Sequence, residues 1–124
     1  MYLKHELGIL GEQIATNYLK SQNYEILNRN FSCKQGEIDI IAKDNKEYVF
    51  VEVKTRTNSD YGEPADSVNK IKQKHLKRTI EYYIYINKLE EEAIRMDIIE
   101  IYIADKNYVI ILKMYFKGTA LSMI

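Results

Sequence analysis

The run Tyr48-Val-Phe-Val-Glu-Val-Lys-Thr55 sets a carboxylate and an ammonium two residues apart among strand-forming side chains. Successive side chains of a strand point to opposite faces. Glu52 and Lys54 therefore share a face with Phe50, and Val49, Val51 and Val53 take the other. The two charged groups are then about 7 Å apart along the strand. Just upstream, Glu37-Ile-Asp-Ile-Ile-Ala42 reads as a short strand opened by Gly36, and Lys43-Asp-Asn-Lys46 reads as the turn of a hairpin. Regular alternation puts Glu37, Asp39 and Ile41 on one face, opposite Ile38 and Ile40. Pairing across the hairpin can bring Asp39 beside Glu52, with side chains about 5 Å apart. Two opposed carboxylates repel each other, and a hard divalent cation such as Mg²⁺ or Mn²⁺, which takes oxygen ligands, relieves that repulsion. The competing reading is a half-buried ion pair of Lys54 with Glu52 or Asp39 on a solvated sheet face.

Other groups stand in useful positions. Glu12 follows Gly8 by four residues and precedes Ala15 by three, so the three stack on one side of a helix. Small neighbours let that helix approach a sheet closely, with Glu12 at the margin of the buried stripe; an exposed helical glutamate would show the same spacing. Lys70, Lys72, Lys74, Lys77 and Arg78 form a basic run with no acidic residue between Val68 and Ile80. Lys70, Lys74, Lys77 and Arg78 fall along one side of a helix, where they could track a phosphate backbone or simply face water. Lys70 and Gln73 are the candidates for reaching back to the carboxylates. His75 reads as a packed histidine on the apolar side, and Tyr61 as a possible stacking residue in a loop.

These side chains need elements to carry them. Leu3, Leu7, Leu10, Ile14 and Tyr18 recur at helical spacing and predict a first helix to about Ser21. Tyr24 to Cys33 reads as a strand, followed by the hairpin. Pro64 suits the first turn of a second helix, which Val68, Ile71, His75, Ile80, Tyr83 and Ile84 continue to about Asn87. Two more strands, about Ile94–Ile103 and Tyr108–Tyr115, complete the order α-β-β-β-α-β-β. The expectation is an α/β fold with a central sheet flanked by two helices, which buries both apolar helix faces.

Composition limits the choices further. The 124 residues suit one domain, residues 1–124. With 18 basic and 18 acidic side chains, any nucleic-acid binding must come from local charge, because the total is neutral. One cysteine permits no internal disulfide and fits a reducing, cytoplasmic setting. Two histidines and one cysteine cannot build a structural zinc site. No apolar run reaches the roughly 18 residues of a membrane span, so no membrane partner is expected.

Taken together, Gly8-x-x-Gly-Glu-x-x-Ala15, Asn30-Phe31, Gly36-Glu-Ile-Asp-Ile-Ile-Ala42, Val49-Phe-Val-Glu-Val-Lys-Thr-Arg56, Tyr61-Gly62 and Arg95-Met-Asp97 resemble the YraN-type bacterial family. That family is similar to archaeal Holliday-junction resolvases within the PD-(D/E)XK nucleases. The likeness spans roughly Gly8 to Ile103. It implies a restriction-endonuclease-like core with a mixed sheet, in which Asp39 and Glu52 bind Mg²⁺ or Mn²⁺ and Lys54 supports the attacking water. Glu12 corresponds to the first-helix carboxylate of the resolvase-like branch. Arg56, on the same strand face, is a candidate phosphate contact, as are Lys70, Gln73, Lys74, Lys77 and Arg78. Ile38 stands where the wider superfamily has proline before its aspartate. The implied activity is phosphodiester hydrolysis of branched or structured DNA in repair or recombination, with a two-fold homodimer as the implied assembly. Two other readings remain open: a nucleic-acid-binding or adaptor module with little activity, and a protein–protein interaction domain using the apolar C-terminal strand as an edge.

Overall fold

A computed structural model describes residues 3–57 and 70–120. Helix α1 (Lys4–Ser21) leads into β1 (Glu25–Cys33), β2 (Gly36–Asp44) and β3 (Glu47–Thr57). Then come α2 (Lys70–Asn87), β4 (Ala93–Ala104) and β5 (Asn107–Thr119). The expected order holds. The predicted start of α2 at Pro64, and Tyr61, lie outside the described residues.

The five strands form one mixed sheet in sequence order, antiparallel except for the β3–β4 pair. The parallel pair needs a long crossover, and α2 supplies it. Local chemistry punctuates the chain. Asn23, Asn45 and Asp105 adopt the left-handed conformation after α1, in the β2–β3 turn and in the β4–β5 turn; short polar side chains tolerate it best. The carboxylate of Glu6 accepts the Leu3 N–H at 3.3 Å and satisfies one free donor at the start of α1.

Each face of the sheet carries its own core. Against α1, Ala15 and Leu19 pack on Ile40, Val49, Val51, Ile99 and Ile101. Against α2, Leu76, Ile80, Tyr83 and Ile84 pack on Ile38, Ile41, Phe50, Met96 and Ile98. Val49, Val51 and Phe50 are almost wholly buried. A central strand with apolar groups on both faces is what the β3 sequence encodes, each such side chain contributing about 1.5–3 kcal/mol.

Several details depart from the sequence expectations. The buried row of α2 runs through Leu76 and Ile80, while Ile71 and His75 are exposed. Leu76, one residue after His75, is the better apolar filler, and the helix turns accordingly. In β2, Ile38 packs on the α2 side and Ile40 on the α1 side, so the alternation slips at Asp39 and the expected common face of Asp39 and Ile41 is not regular. β5 extends past Tyr115 to Thr119, because a register shift between Met96 and Asp97 takes Tyr115 out of the ladder and lets pairing resume at Phe116. It is an edge strand, with Tyr108, Val109 and Met114 more than half exposed.

The close approach of α1 to the sheet depends on Gly11, not Gly8. A methyl group on Gly11 would lie 1.7 Å from Oγ1 of Thr55, whereas one on Gly8 would meet nothing within 4 Å. Gly11→Ala must push α1 off β3 or distort Thr55, at an expected cost of about 1–3 kcal/mol. Thermal denaturation checks this, and Thr55→Ala in the same chain should recover part of the loss.

Candidate active site

Asp39 lies where β2 and β3 part. Their ladder runs from Asp44↔Glu47 to Ile40↔Val51 and stops. One step further, the Asp39 carboxylate accepts the Val53 N–H at 2.7 Å. A backbone donor that would otherwise be left unsatisfied is thus held by a side chain, and the strands are pinned in the register that sets Asp39 against Glu52. The slip in the β2 alternation is the local price of that arrangement.

The electrostatics follow from this crowding. Burial comes first, then the charge of Glu52, and together they push the Asp39 carboxyl up to about 7. The Val53 N–H pulls the other way, and Glu12 adds to the rise by charge and by lying within hydrogen-bonding reach. Glu12, brought in by the Gly11 contact, thus joins Asp39 and Glu52 in one place. Glu52 and Lys54 do share the α2 face of β3 with Phe50. Burial, followed by the neighbouring Lys72 ammonium, lowers the Lys54 pKa.

The ammonium that closes on Glu52 is that of Lys72, with Nζ 2.7 Å from Oε1. Burial disfavours the Lys72 charge, but the bond to Glu52 holds its pKa above the ordinary value. In the sequence, Lys72 stands in the basic run with nothing local that marks it for the site. The signal is one of spacing: Lys72 precedes Leu76 by four residues, so extending the buried row of α2 by one turn leads to it.

The remaining candidates divide. Arg56 is on the expected face but buried, with Nε 3.3 Å from Glu100. Glu100 also receives the Tyr102 hydroxyl at 2.7 Å and the Lys113 ammonium. Arg56 therefore ties β3 to β4 instead of presenting its charge to solvent. Gln73 donates to the Tyr115 hydroxyl of β5. Lys74, Lys77 and Arg78 are exposed on α2, and the side chain of Lys70 lies outside the described residues. Arg95 and Asp97 take no part in the site. The Arg95 Nε bonds both Asp97 oxygens at 3.0 Å, and its Nη1 reaches Glu47 at 3.0 Å, clasping the start of β3.

The donor set of Glu12, Asp39 and Glu52 is all carboxylate oxygen, three carboxyls against two ammoniums in a half-buried space. That chemistry fits a hard divalent ion. Among the described residues no group of three or more His, Cys, Asp or Glu is arranged to hold a metal ion. Asp39 and Glu52 would therefore act as a two-carboxylate seat, with water and substrate oxygens completing the shell, as Mg²⁺ commonly requires.

No helix among the described residues is long and apolar enough to cross a membrane. Residues 11–101 match the Uncharacterised protein family UPF0102. A UPF0102 protein of Caldicellulosiruptor saccharolyticus is 48% identical over 107 residues, covering 86% of this chain and 91% of that relative. One from Clostridioides difficile is 46% identical over 101 residues, covering 82% of this chain and 89% of that relative. The crystal structure of SSO0001 aligns with a TM-score of 0.36 at 22% identity, covering 87% of this chain and 50% of that one, too distant to carry an argument. The match takes in Glu12, Asp39, Glu52, Lys54 and Lys72 alike, and on it and the two relatives this chain belongs to the UPF0102 family.

Proposed function

We propose that this protein is a Mg²⁺- or Mn²⁺-dependent endonuclease that hydrolyses phosphodiester bonds in DNA, with branched or otherwise structured DNA as its substrate. One observation carries the reading: a half-buried carboxyl, Asp39, bonded to the Val53 N–H and set against Glu52, is pushed up to about 7, with lysines at its margin. Perturbed carboxylates of this kind cluster at functional sites. When bound, the divalent ion would polarise the scissile phosphate and lower the pKa of a water molecule. Asp39 and Glu52 orient that seat. Lys54, fixed on the strand between them and the end of β3, holds the attacking water and offsets charge developing on the phosphate.

The test is a panel of labelled DNAs (duplex, single strand, nick, flap and four-way junction) incubated with Mn²⁺. Incision concentrated on the branched substrates and abolished by a chelator is the expected result. A panel left uncut, but bound, would instead leave the binding-module reading.

The exposed Lys74, Lys77 and Arg78 supply the local positive charge that a neutral protein needs to hold a polyanion. Lys74→Glu with Lys77→Glu should weaken DNA binding and reduce the steepness of its salt dependence by about two phosphate contacts. Fluorescence anisotropy at several salt concentrations checks this. An unchanged affinity and slope would assign the row to solvent.

A further inference from the structure

We propose that Lys72 is a displaceable counter-ion: it holds Glu52 until a divalent cation enters, then releases it and turns to the phosphate of the bound DNA. The inference rests on the reading of Asp39 and Glu52 as a cation seat, and goes beyond it by assigning the second helix a role in opening that seat.

The geometry is asymmetric in a way that suits this role. The Lys72 ammonium contacts Glu52 at 2.7 Å, yet its side chain is 42% exposed while that of Glu52 is 10% exposed. One partner is fixed in the sheet and the other reaches it from the solvent side. Lys72 lies on the described part of α2 one turn ahead of Leu76, the first buried apolar residue there. Its flexible stem is half-exposed and lies outside the buried row that begins at Leu76. Lys54, by contrast, is borne by the central strand two residues from Glu52, and lies within hydrogen-bonding reach of Lys72.

Charge supplies the driving force. Three carboxylates, Glu12, Asp39 and Glu52, meet two ammoniums, Lys54 and Lys72, in a half-buried space. A divalent cation would turn that small negative excess positive unless one ammonium withdrew. Lys72, the more exposed partner of the pair with Glu52, is the one that would withdraw, and a DNA phosphate is the anion that would receive it. Lys72 is in this sense a positioning residue that couples cation entry to substrate contact. Without DNA, its bond to Glu52 makes it a competitor of the cation.

Calorimetric titration of Mn²⁺ into the metal-free protein tests the idea without any turnover. Lys72→Met keeps most of the aliphatic stem and removes the charge, Lys72→Gln does so with a polar end, and Lys72→Arg keeps the charge. The expected result is Mn²⁺ binding at least tenfold tighter than wild type in Lys72→Met and Lys72→Gln, and no tighter in Lys72→Arg. In the same neutral variants, binding of duplex DNA in Ca²⁺ should weaken by at least tenfold. Mn²⁺ affinity unchanged or weakened in both neutral variants, with wild type binding Mn²⁺, would overturn the role of Lys72 and leave the cation seat standing. Absence of Mn²⁺ binding in wild type would overturn the seat and the counter-ion together.

Discussion

Replacing Lys54 with alanine should remove DNA incision by about 10²–10³-fold, the loss typical when one preorganised charge at a developing anion is deleted. The substitution should leave the fold intact. Lys54 is only partly buried, and the β3 backbone around it remains paired with β4 from Val53↔Ile99 to Thr55↔Ile101. Mn²⁺ binding should be preserved or strengthened, because an ammonium near the carboxylates has gone. Single-turnover incision measured beside a Mn²⁺ titration separates the two effects. A variant that loses Mn²⁺ binding together with incision would mean that Lys54 holds the site together structurally. One that still cuts at the wild-type rate would remove Lys54 from the chemistry.

Asp39→Asn should abolish stabilisation by Mn²⁺ and leave the metal-free protein at least as stable as wild type above neutral pH. The amide retains an oxygen that can accept the Val53 N–H, so the pin between β2 and β3 survives. What disappears is a carboxylate forced against Glu52 and Glu12. The sign of the pH dependence follows from the direction of the shift. The Asp39 pKa is raised from 3.8 to about 7 by burial and by Glu52. The folded chain therefore keeps a proton that the unfolded chain has released between roughly pH 4 and 7. Stability falls as pH rises through that window, by up to about 4 kcal/mol, part of which belongs to the pair with Glu52. Melting temperatures of metal-free wild type should thus drop between pH 5 and pH 8, and Mn²⁺ at pH 8 should restore the loss. Asp39→Asn should show neither the drop nor the Mn²⁺ response. A destabilised Asp39→Asn, with no Mn²⁺ effect on either protein, would reduce Asp39 to a structural cap on the Val53 N–H.

The chain's own residues determined the element order and most of the face assignments. Alternation in β3 separated Val49, Val51 and Val53 from Phe50, Glu52 and Lys54, and the structure keeps that separation because a strand has only two sides. The hairpin turn at Asn45 and the juxtaposition of Asp39 with Glu52 were legible for the same reason: local conformation and register are set by residues near one another in sequence. Contacts between elements were not legible. Whether Lys72 or Gln73 reaches the carboxylates depends on how α2 is rotated over the sheet, and burial of Leu76 and Ile80 decides that rotation. Arg56 lies on the face its spacing predicted, yet its partner Glu100 comes from β4, after the whole length of α2. Gly8 and Gly11 look equally suited to a close approach until Thr55 arrives opposite one of them. The slip at Asp39 has the same origin, since a side chain there replaces a ladder bond only because Val53 of another strand offers its N–H. Periodicity states which way a side chain points along its own element; only packing between elements states what it meets.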